Sequence, residues 1–302
     1  MDIKAFLSEL DTRKIEYVLN EPMCNHTTFK IGGNADAFIN VYAAEELSFV
    51  LRTAAQCFVP VFLLGKGSNL LVSDNGIEGA VVYLKGMDEI SVEENRLIVG
   101  GGASLRTVCI AAQKSGLSGL EFAFGIPGTV GGAVFMNAGA YGGEISQVIK
   151  CATVMDKNGE LRVVEACDMA LGYRTSIFKT SGDIVLSAEF ELARDDKNLI
   201  RERMDDYFTR RREKQPLEYP SAGSTFKRPE GYFAGALIQK NNLKGVSVGG
   251  AQVSEKHAGF VINKCDATCS DVLSLIKKIQ KTVLDADGVS LETEVIFIGR
   301  ND

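Results

Sequence analysis

Three polar positions stand in apolar or glycine-rich surroundings. Arg174, preceded by Tyr173, lies in GYRTSIF, Ser224 lies in PSAGSTFKRP, and Glu294 lies in LETEVIFIG, at the entry to an apolar run. A carboxylate beside such a run is costly unless it is paired. Taken singly, each has a plain structural reading: an ion-paired surface arginine, a turn serine, a strand-end charge. Each is also a type that catalysis uses. No Gly-x-Ser-x-Gly elbow surrounds Ser224, and His26 and His257 suggest no triad, which excludes a nucleophilic hydrolase.

The second chemical signal is backbone rather than side chain. Gly65-Lys66-Gly67-Ser68-Asn69-Leu70 follows the apolar run that ends at Leu64. Two glycines bracketing one residue suit a nest of N–H groups aimed at an anion, and equally a plain turn. The run lacks the third glycine of a dinucleotide fingerprint and the Lys-Ser/Thr of a Walker loop. A stronger block runs from Gly125 to Gly143, with Pro127, Gly128, Thr129, Gly131, Gly132, Asn137, Ala138, Gly139 and Tyr141 among its residues. Seven glycines in this stretch carry an ordering cost that turns alone do not justify. Close approach to a flat or pyrophosphate-bearing ligand would.

The elements that must position these residues can be read from periodicity. Residues 43–58 place Leu47, Val50, Leu51, Ala54 and Phe58 at helical spacing. Strands are predicted at 80–84 and 96–99, and Ser104 is predicted to cap a helix that stops at Gly116. From Gly119 to Gly143 the glycine content predicts no regular structure. Asn158-Gly159 between two β-rich runs, 151–155 and 161–164, predicts a hairpin, and 184–192 a further strand. A charged helix is predicted over 195–214, a second over 270–287, and a closing strand over 294–298. Strands and helices alternate without a steady βα rhythm, so the fold class is α+β. The change of texture near residue 195 marks a domain boundary.

Composition excludes several classes. The chain has 302 residues, 33 basic against 39 acidic, and a net charge of −6, which gives no global attraction for nucleic acid. The basic run Arg210-Arg211-Arg212-Glu213-Lys214 reads as a solvated helix end. No apolar stretch approaches the ~20 residues that span a bilayer, and the first residues lack a secretory apolar block, so neither a membrane nor a secreted protein is expected. Seven scattered cysteines, with only Cys265 and Cys269 close in sequence, complete no metal site and fit a reducing cytoplasm.

Seven blocks in order then carry a resemblance that covers nearly the whole chain: TTFKIGG, LGKGSNLL, GIPGTVGGAVFMNAGAYGGE, GYRTSIF, PSAGSTFKRP, SEKHAGFVIN and LETEVIFIG. The chain resembles the UDP-N-acetylenolpyruvoylglucosamine reductase family, in its second, shorter type without an extra tyrosine-bearing loop. The resemblance implies a two-lobed FAD-binding region of the vanillyl-alcohol-oxidase (PCMH) type over 1–195, split near 85, and a C-terminal α+β substrate-binding domain over 196–302. It implies non-covalent FAD, NADPH as co-substrate in a ping-pong arrangement, and a UDP-sugar enolpyruvyl ether as substrate, in a cytoplasmic monomer.

By the same resemblance, Leu64 to Leu70 and Gly125 to Gly132 form a pyrophosphate cradle, with Asn137 to Tyr141 flanking the isoalloxazine. Arg174, Ser224 and Glu294 are catalytic. Hydride transfer to the enolpyruvyl group leaves negative charge that Arg174 and Glu294, the latter protonated if buried, would stabilise, while Ser224 protonates the α-carbon. Tyr173, Lys214, Lys227 and His257 match substrate-binding positions, although His257 stands where the longer type has glutamine. Two alternatives stay open: another flavin oxidoreductase of the same superfamily, and a nucleotide-sugar-binding regulator without chemistry.

Overall fold

The computed structural model describes residues 1–300. The chain forms two compact units that are interleaved in sequence. The first comprises Met1–Val18, Ala37–Lys66 and Gly79–Arg211; the second comprises Leu19–Asp36, Gly67–Glu78 and the chain from Arg212 onward.

The first unit is built on two sheets. In one, Val61–Leu64 runs parallel to the strand Ile77–Leu84, with Val61 opposite Ala80 and Leu64 opposite Tyr83. The helices Ile3–Thr12 and Ala44–Gln56 bury Phe6, Leu10, Leu47 and Val50 against Ile39, Val41, Ala80 and Val82. The other is a five-stranded antiparallel sheet in the order Leu161–Glu165, Ile149–Met155, Ile184–Glu191, Arg96–Gly100, Ile90–Glu93. Its hairpin turns where Asn158-Gly159 predicts, with Gly159 at φ 83.

The helix Leu105–Lys114 and the long helix Lys197–Lys214 bury Leu105, Val108, Ile200 and Met204 in the core of this sheet. Ser104 occupies the N-cap position, but its side chain makes no capping hydrogen bond. The stretch expected to be irregular contains a short helix, Val130–Phe135, whose N-cap Thr129 accepts from the N–H of Gly132. Two glycines make VGGAVF a poor helix former. The helix forms because Gly131 lets it lie against backbone: a Cβ there would meet the carbonyl oxygens of Val185 at 3.1 Å and Gly101 at 3.2 Å.

The second unit packs the helices Ala234–Lys240 and Cys269–Asp287 on a three-stranded antiparallel sheet, Ser247–Val248, Ala251–Val253 and Val261–Asn263. Thr268 and Asp271 close a capping box at the start of the long helix, and Gly288 at φ 68 ends it. Val272, Leu275, Ile276 and Ile279 fill the core against Ala251, Val253 and Val261. Leu70–Val72 pairs parallel with Ile296–Ile298. The closing strand is therefore shorter than the predicted 294–298, because the N–H of Glu294 is taken by the carbonyl of Thr225.

Candidate active site

In the second unit, residues 220–227 form a loop bridged at two points, Ser221 opposite Ile262 and Phe226 opposite Thr293, and Thr225 is the pin. Its N–H donates to the Gly259 carbonyl at 2.9 Å and its Oγ1 accepts from the Val261 N–H at 3.0 Å. On the other side its carbonyl accepts from the Glu294 N–H at 2.8 Å. Thr225 is 3% exposed, so these bonds are made in a dry environment and hold firmly. Ser224, which precedes Thr225 in the chain, and Glu294, whose N–H is bonded to it, are thereby tied to one buried residue. Gly223 at φ 77 turns the chain just before Ser224, and a Cβ at Gly223 would meet nothing within 4 Å.

Asn69 ties the first glycine loop to the same place. Its Nδ2 donates to the Glu294 carbonyl at 3.1 Å, and its own carbonyl accepts from the Ile296 N–H at 2.9 Å. The N–H groups of Gly67 and Ser68 make no hydrogen bond among the described residues. Gly67 sits at φ 59, and a Cβ there would fall 2.2 Å from the His26 carbonyl oxygen, so only glycine fits.

His257 stands next to the strand that Thr225 joins. Its Nδ1 accepts from the Gly259 N–H at 3.1 Å, which places the proton of the neutral ring on Nε2. Burial holds its pKa below the ordinary histidine value, and its ring meets Phe260 edge-on at 4.9 Å. Lys227 is engaged with Glu292 at 2.9 Å, and Lys214 is exposed at the end of its helix.

In the first unit the two glycine blocks meet. A Cβ on Gly65, just after Leu64, would lie 2.7 Å from Thr129 Oγ1. The N–H groups of Val130, Gly131 and Gly132 are spent on Ala103 O, Gly101 O and Thr129 Oγ1. Those of Lys66, Gly128 and Thr129 are not engaged by any described residue. A methyl added at Gly128 would have Leu105 Cδ1, at 3.4 Å, as its nearest neighbour, so nothing in the protein demands glycine there. Unspent N–H donors with no side chain in front of them are what a pyrophosphate requires, and the residues present fit FAD.

Arg174, which follows the exposed Tyr173, belongs to the first unit. Its guanidinium lies 5.2 Å over the Tyr173 ring, and its Nη2 donates to the Gly139 carbonyl at 3.3 Å. Ala138 is held by Ala133 O and Ile145 N. Tyr141, at φ 55, stacks on Tyr207 with centroids 4.9 Å apart and rings 1° from parallel. Burial raises the Tyr141 pKa, against the opposing charges of Arg211 and Arg210.

The basic run is not wholly a solvated helix end. Arg211 is partly buried, and its Cδ lies 3.0 Å from where a Cβ on Gly125 would be. Its Nε has no hydrogen-bond partner among the described residues, and desolvation lowers its pKa. Charge pattern alone missed it, since Arg210 and Arg212 on either side are exposed; the helical spacing of Met204, Phe208 and Arg211 on one face was the available signal.

Comparison with known proteins places the chain in a family. A family model described as an FAD binding domain matches residues 35–165, and one described as the C-terminal domain of UDP-N-acetylenolpyruvoylglucosamine reductase matches residues 215–298. The UDP-N-acetylenolpyruvoylglucosamine reductase of Clostridium novyi (strain NT) is 50% identical over 98% of this chain and 96% of its own. That of Exiguobacterium sibiricum is 50% identical over 93% of both. The solved structure of the Thermus caldophilus enzyme matches with a TM-score of 0.81 at 34% identity, over 94% of this chain and 98% of that one. Berberine bridge enzyme shares the fold over 64% of this chain and 44% of its own, with a TM-score of 0.50 at 15% identity.

Proposed function

Because the chain belongs to the UDP-N-acetylenolpyruvoylglucosamine reductase family, an FAD-dependent class of oxidoreductase, we propose that it uses NADPH to reduce the enolpyruvyl group of UDP-N-acetylglucosamine enolpyruvate to UDP-N-acetylmuramate, a peptidoglycan precursor, in the cytoplasm. The observation that carries the reading is the tie of both Ser224 and Glu294 to the buried Thr225, the first by the chain and the second by a hydrogen bond, with the unspent N–H groups of Gly67 and Ser68 in the same unit.

Bound FAD would supply the hydride chemistry that links NADPH to the enolpyruvyl double bond. The chain's own residues handle what that leaves. Electron density moves to the α-carbon and into the carboxylate, and Arg174 supplies a positive charge against it. Glu294 supplies a second contact on the same charge. Ser224 gives its hydroxyl proton to the α-carbon and recovers one from solvent, completing addition of H⁻ and H⁺ across the double bond. In the first unit, Lys66, Gly128 and Thr129 would offer their N–H groups to the pyrophosphate. Tyr173, Lys214, Lys227 and His257 are assigned to the nucleotide-sugar.

Ser224→Ala tests the reading, because the serine serves only one half of the reaction. Flavin reduction by NADPH should stay within a few-fold of wild type. Reoxidation by the enolpyruvyl substrate should slow by about 10²–10⁴-fold, the range for loss of a general acid. Stopped-flow measurement of the two halves separates them; equal slowing of both would remove the proton-donor role.

A further inference from the structure

Arg174 occupies a conformation that its residue type resists. Its φ is 54°, in the left-handed region, where a Cβ is penalised and glycine is the usual occupant. Glycine is available nearby, at position 172, yet arginine takes the strained position. Strain of this kind persists only where the surroundings over-determine it.

The surroundings here are two side chains, each ending on a carbonyl of the same turn. Gly172 and Thr175 exchange N–H···O bonds of 3.1 and 3.2 Å, which closes the turn around Tyr173 and Arg174. On one flank, Asn137 Nδ2 donates to the Gly172 carbonyl at 3.0 Å, while its Oδ1 accepts from the Ser146 N–H at 2.9 Å. Asn137 is 1% exposed, so both ends of its amide are committed inside the protein. On the other flank, Lys179 Nζ donates to the Arg174 carbonyl at 2.6 Å. Ser176, between them, donates from Oγ to the Phe135 carbonyl at 2.7 Å and fixes the exit of the turn.

We propose that Asn137 and Lys179 are positioning residues for the reaction: they clamp the carbonyls on either side of Arg174's φ and keep its guanidinium aimed at the charge that develops on the substrate. The clamp rests on the assignment of Arg174 given above. Without it the residue relaxes toward negative φ, which swings the direction of Cβ and moves the cation away from its place. Misplacement of a catalytic group by about 1 Å costs of the order of 10²-fold.

The experiment uses the full-length holoenzyme. Lys179 is exposed, so Lys179→Met should fold and retain FAD; it removes the ammonium and keeps the aliphatic stem. Reoxidation of reduced enzyme by the enolpyruvyl substrate should slow by about 10- to 100-fold at saturation, while flavin reduction by NADPH stays within about twofold. Lys179→Arg, which keeps a donor, should recover most of the loss. Asn137→Asp, which keeps the shape and the acceptor but not the donor to Gly172, should slow reoxidation by the enolpyruvyl substrate over the same range.

Unchanged reoxidation in Lys179→Met, equal slowing of both halves, or no recovery with Lys179→Arg would each overturn the clamp. Arg174→Ala separates its failure from failure of the underlying assignment. If Arg174→Ala slows reoxidation and Lys179→Met does not, the clamp alone is wrong. If Arg174→Ala has no effect, the assignment falls and the clamp with it. Adding Lys179→Met to Arg174→Ala should cost nothing further.

Discussion

Gly128 and Gly131 are three residues apart in one glycine-rich block, and the same substitution should have opposite consequences at the two. A Cβ at Gly128 meets only Leu105 Cδ1, at 3.4 Å, and Gly128 has no positive φ to lose. Gly128→Val should therefore leave the apoprotein within ~1 kcal/mol of wild type, the scale of an exposed loop change, or ~2–4 °C in melting temperature. Its isopropyl group would stand in front of the unspent N–H groups of Gly128 and Thr129. Hydrogen bonds from N–H to a charged group are worth ~1.5–3 kcal/mol each, so two lost bonds amount to ~3–6 kcal/mol, or a ~10²–10⁴-fold weaker FAD Kd.

Gly131→Val instead drives a side chain into the carbonyl oxygens of Val185 and Gly101, at 3.1 and 3.2 Å. Neither belongs to a flexible side chain, so the cost should reach or exceed the ~1–3 kcal/mol of ordinary overpacking and should appear in the apoprotein. Thermal melts of FAD-free protein and a fluorescence titration with FAD read the two effects apart. Wild-type FAD affinity in Gly128→Val would show that this glycine is an ordinary turn. Normal apoprotein stability in Gly131→Val would refute the packing argument.

Two further outcomes concern pH. Burial alone would raise the pKa of Glu121, but the N–H groups of Glu121 and Gly119, with Arg203 and Ser118, outweigh it and hold the carboxyl below its ordinary range. A depressed folded pKa means stability that is present above the unfolded value and lost as pH falls through the folded one, so Glu121→Gln should cost ~1–3 kcal/mol near neutral pH and flatten the acid limb of a melting-temperature profile below about pH 4.5; an unchanged limb would mean that Arg203 and Asp195 carry the contact without it. His257, whose pKa is lowered by burial, takes up its proton later in the folded than in the unfolded state, so stability should fall as pH drops below about 6.5, and His257→Gln should remove that slope in the same assay.

What the sequence made legible was what local chemistry decides. The apolar-periodic run over 270–287 makes a helix, and Asn158-Gly159 makes a hairpin turn in almost any context. The helix Val130–Phe135 was hidden because its cause lies elsewhere in the chain, in the Val185 and Gly101 carbonyls that only glycine can approach. The association of Leu19–Asp36 and Gly67–Glu78 with the C-terminal third has no local signature either, since it rests on long-range pairings such as Leu70 with Ile296. Ser224, Glu294 and Arg174 stood out as polar residues in the wrong company. Lys179 did not, because a lysine five residues after an arginine is unremarkable until the turn that joins them is seen.

The same contrast separates two uses of backbone strain. Gly159 takes positive φ with the residue type that does so at least cost, and there the conformation serves the hairpin turn alone. At Tyr141 and Arg174 the chain accepts positive φ on residues that oppose it, although glycine occupies position 142 beside one and 172 beside the other. In the turn Tyr141-Gly142 that joins Gly139–Ala140 to Gly143–Glu144, asparagine at the first position would be less strained. Tyrosine stands there instead and stacks on Tyr207. Lys14, Lys30, Phe58, Glu94 and Ala170 also take positive φ, so the conformation alone marks no site; what sets Tyr141 and Arg174 apart is what their side chains meet, the Tyr207 ring and the Gly139 carbonyl. Those two side chains lie in the segments proposed to meet the flavin and the substrate's charge, and at Arg174 the turn is also held from outside by Asn137 and Lys179.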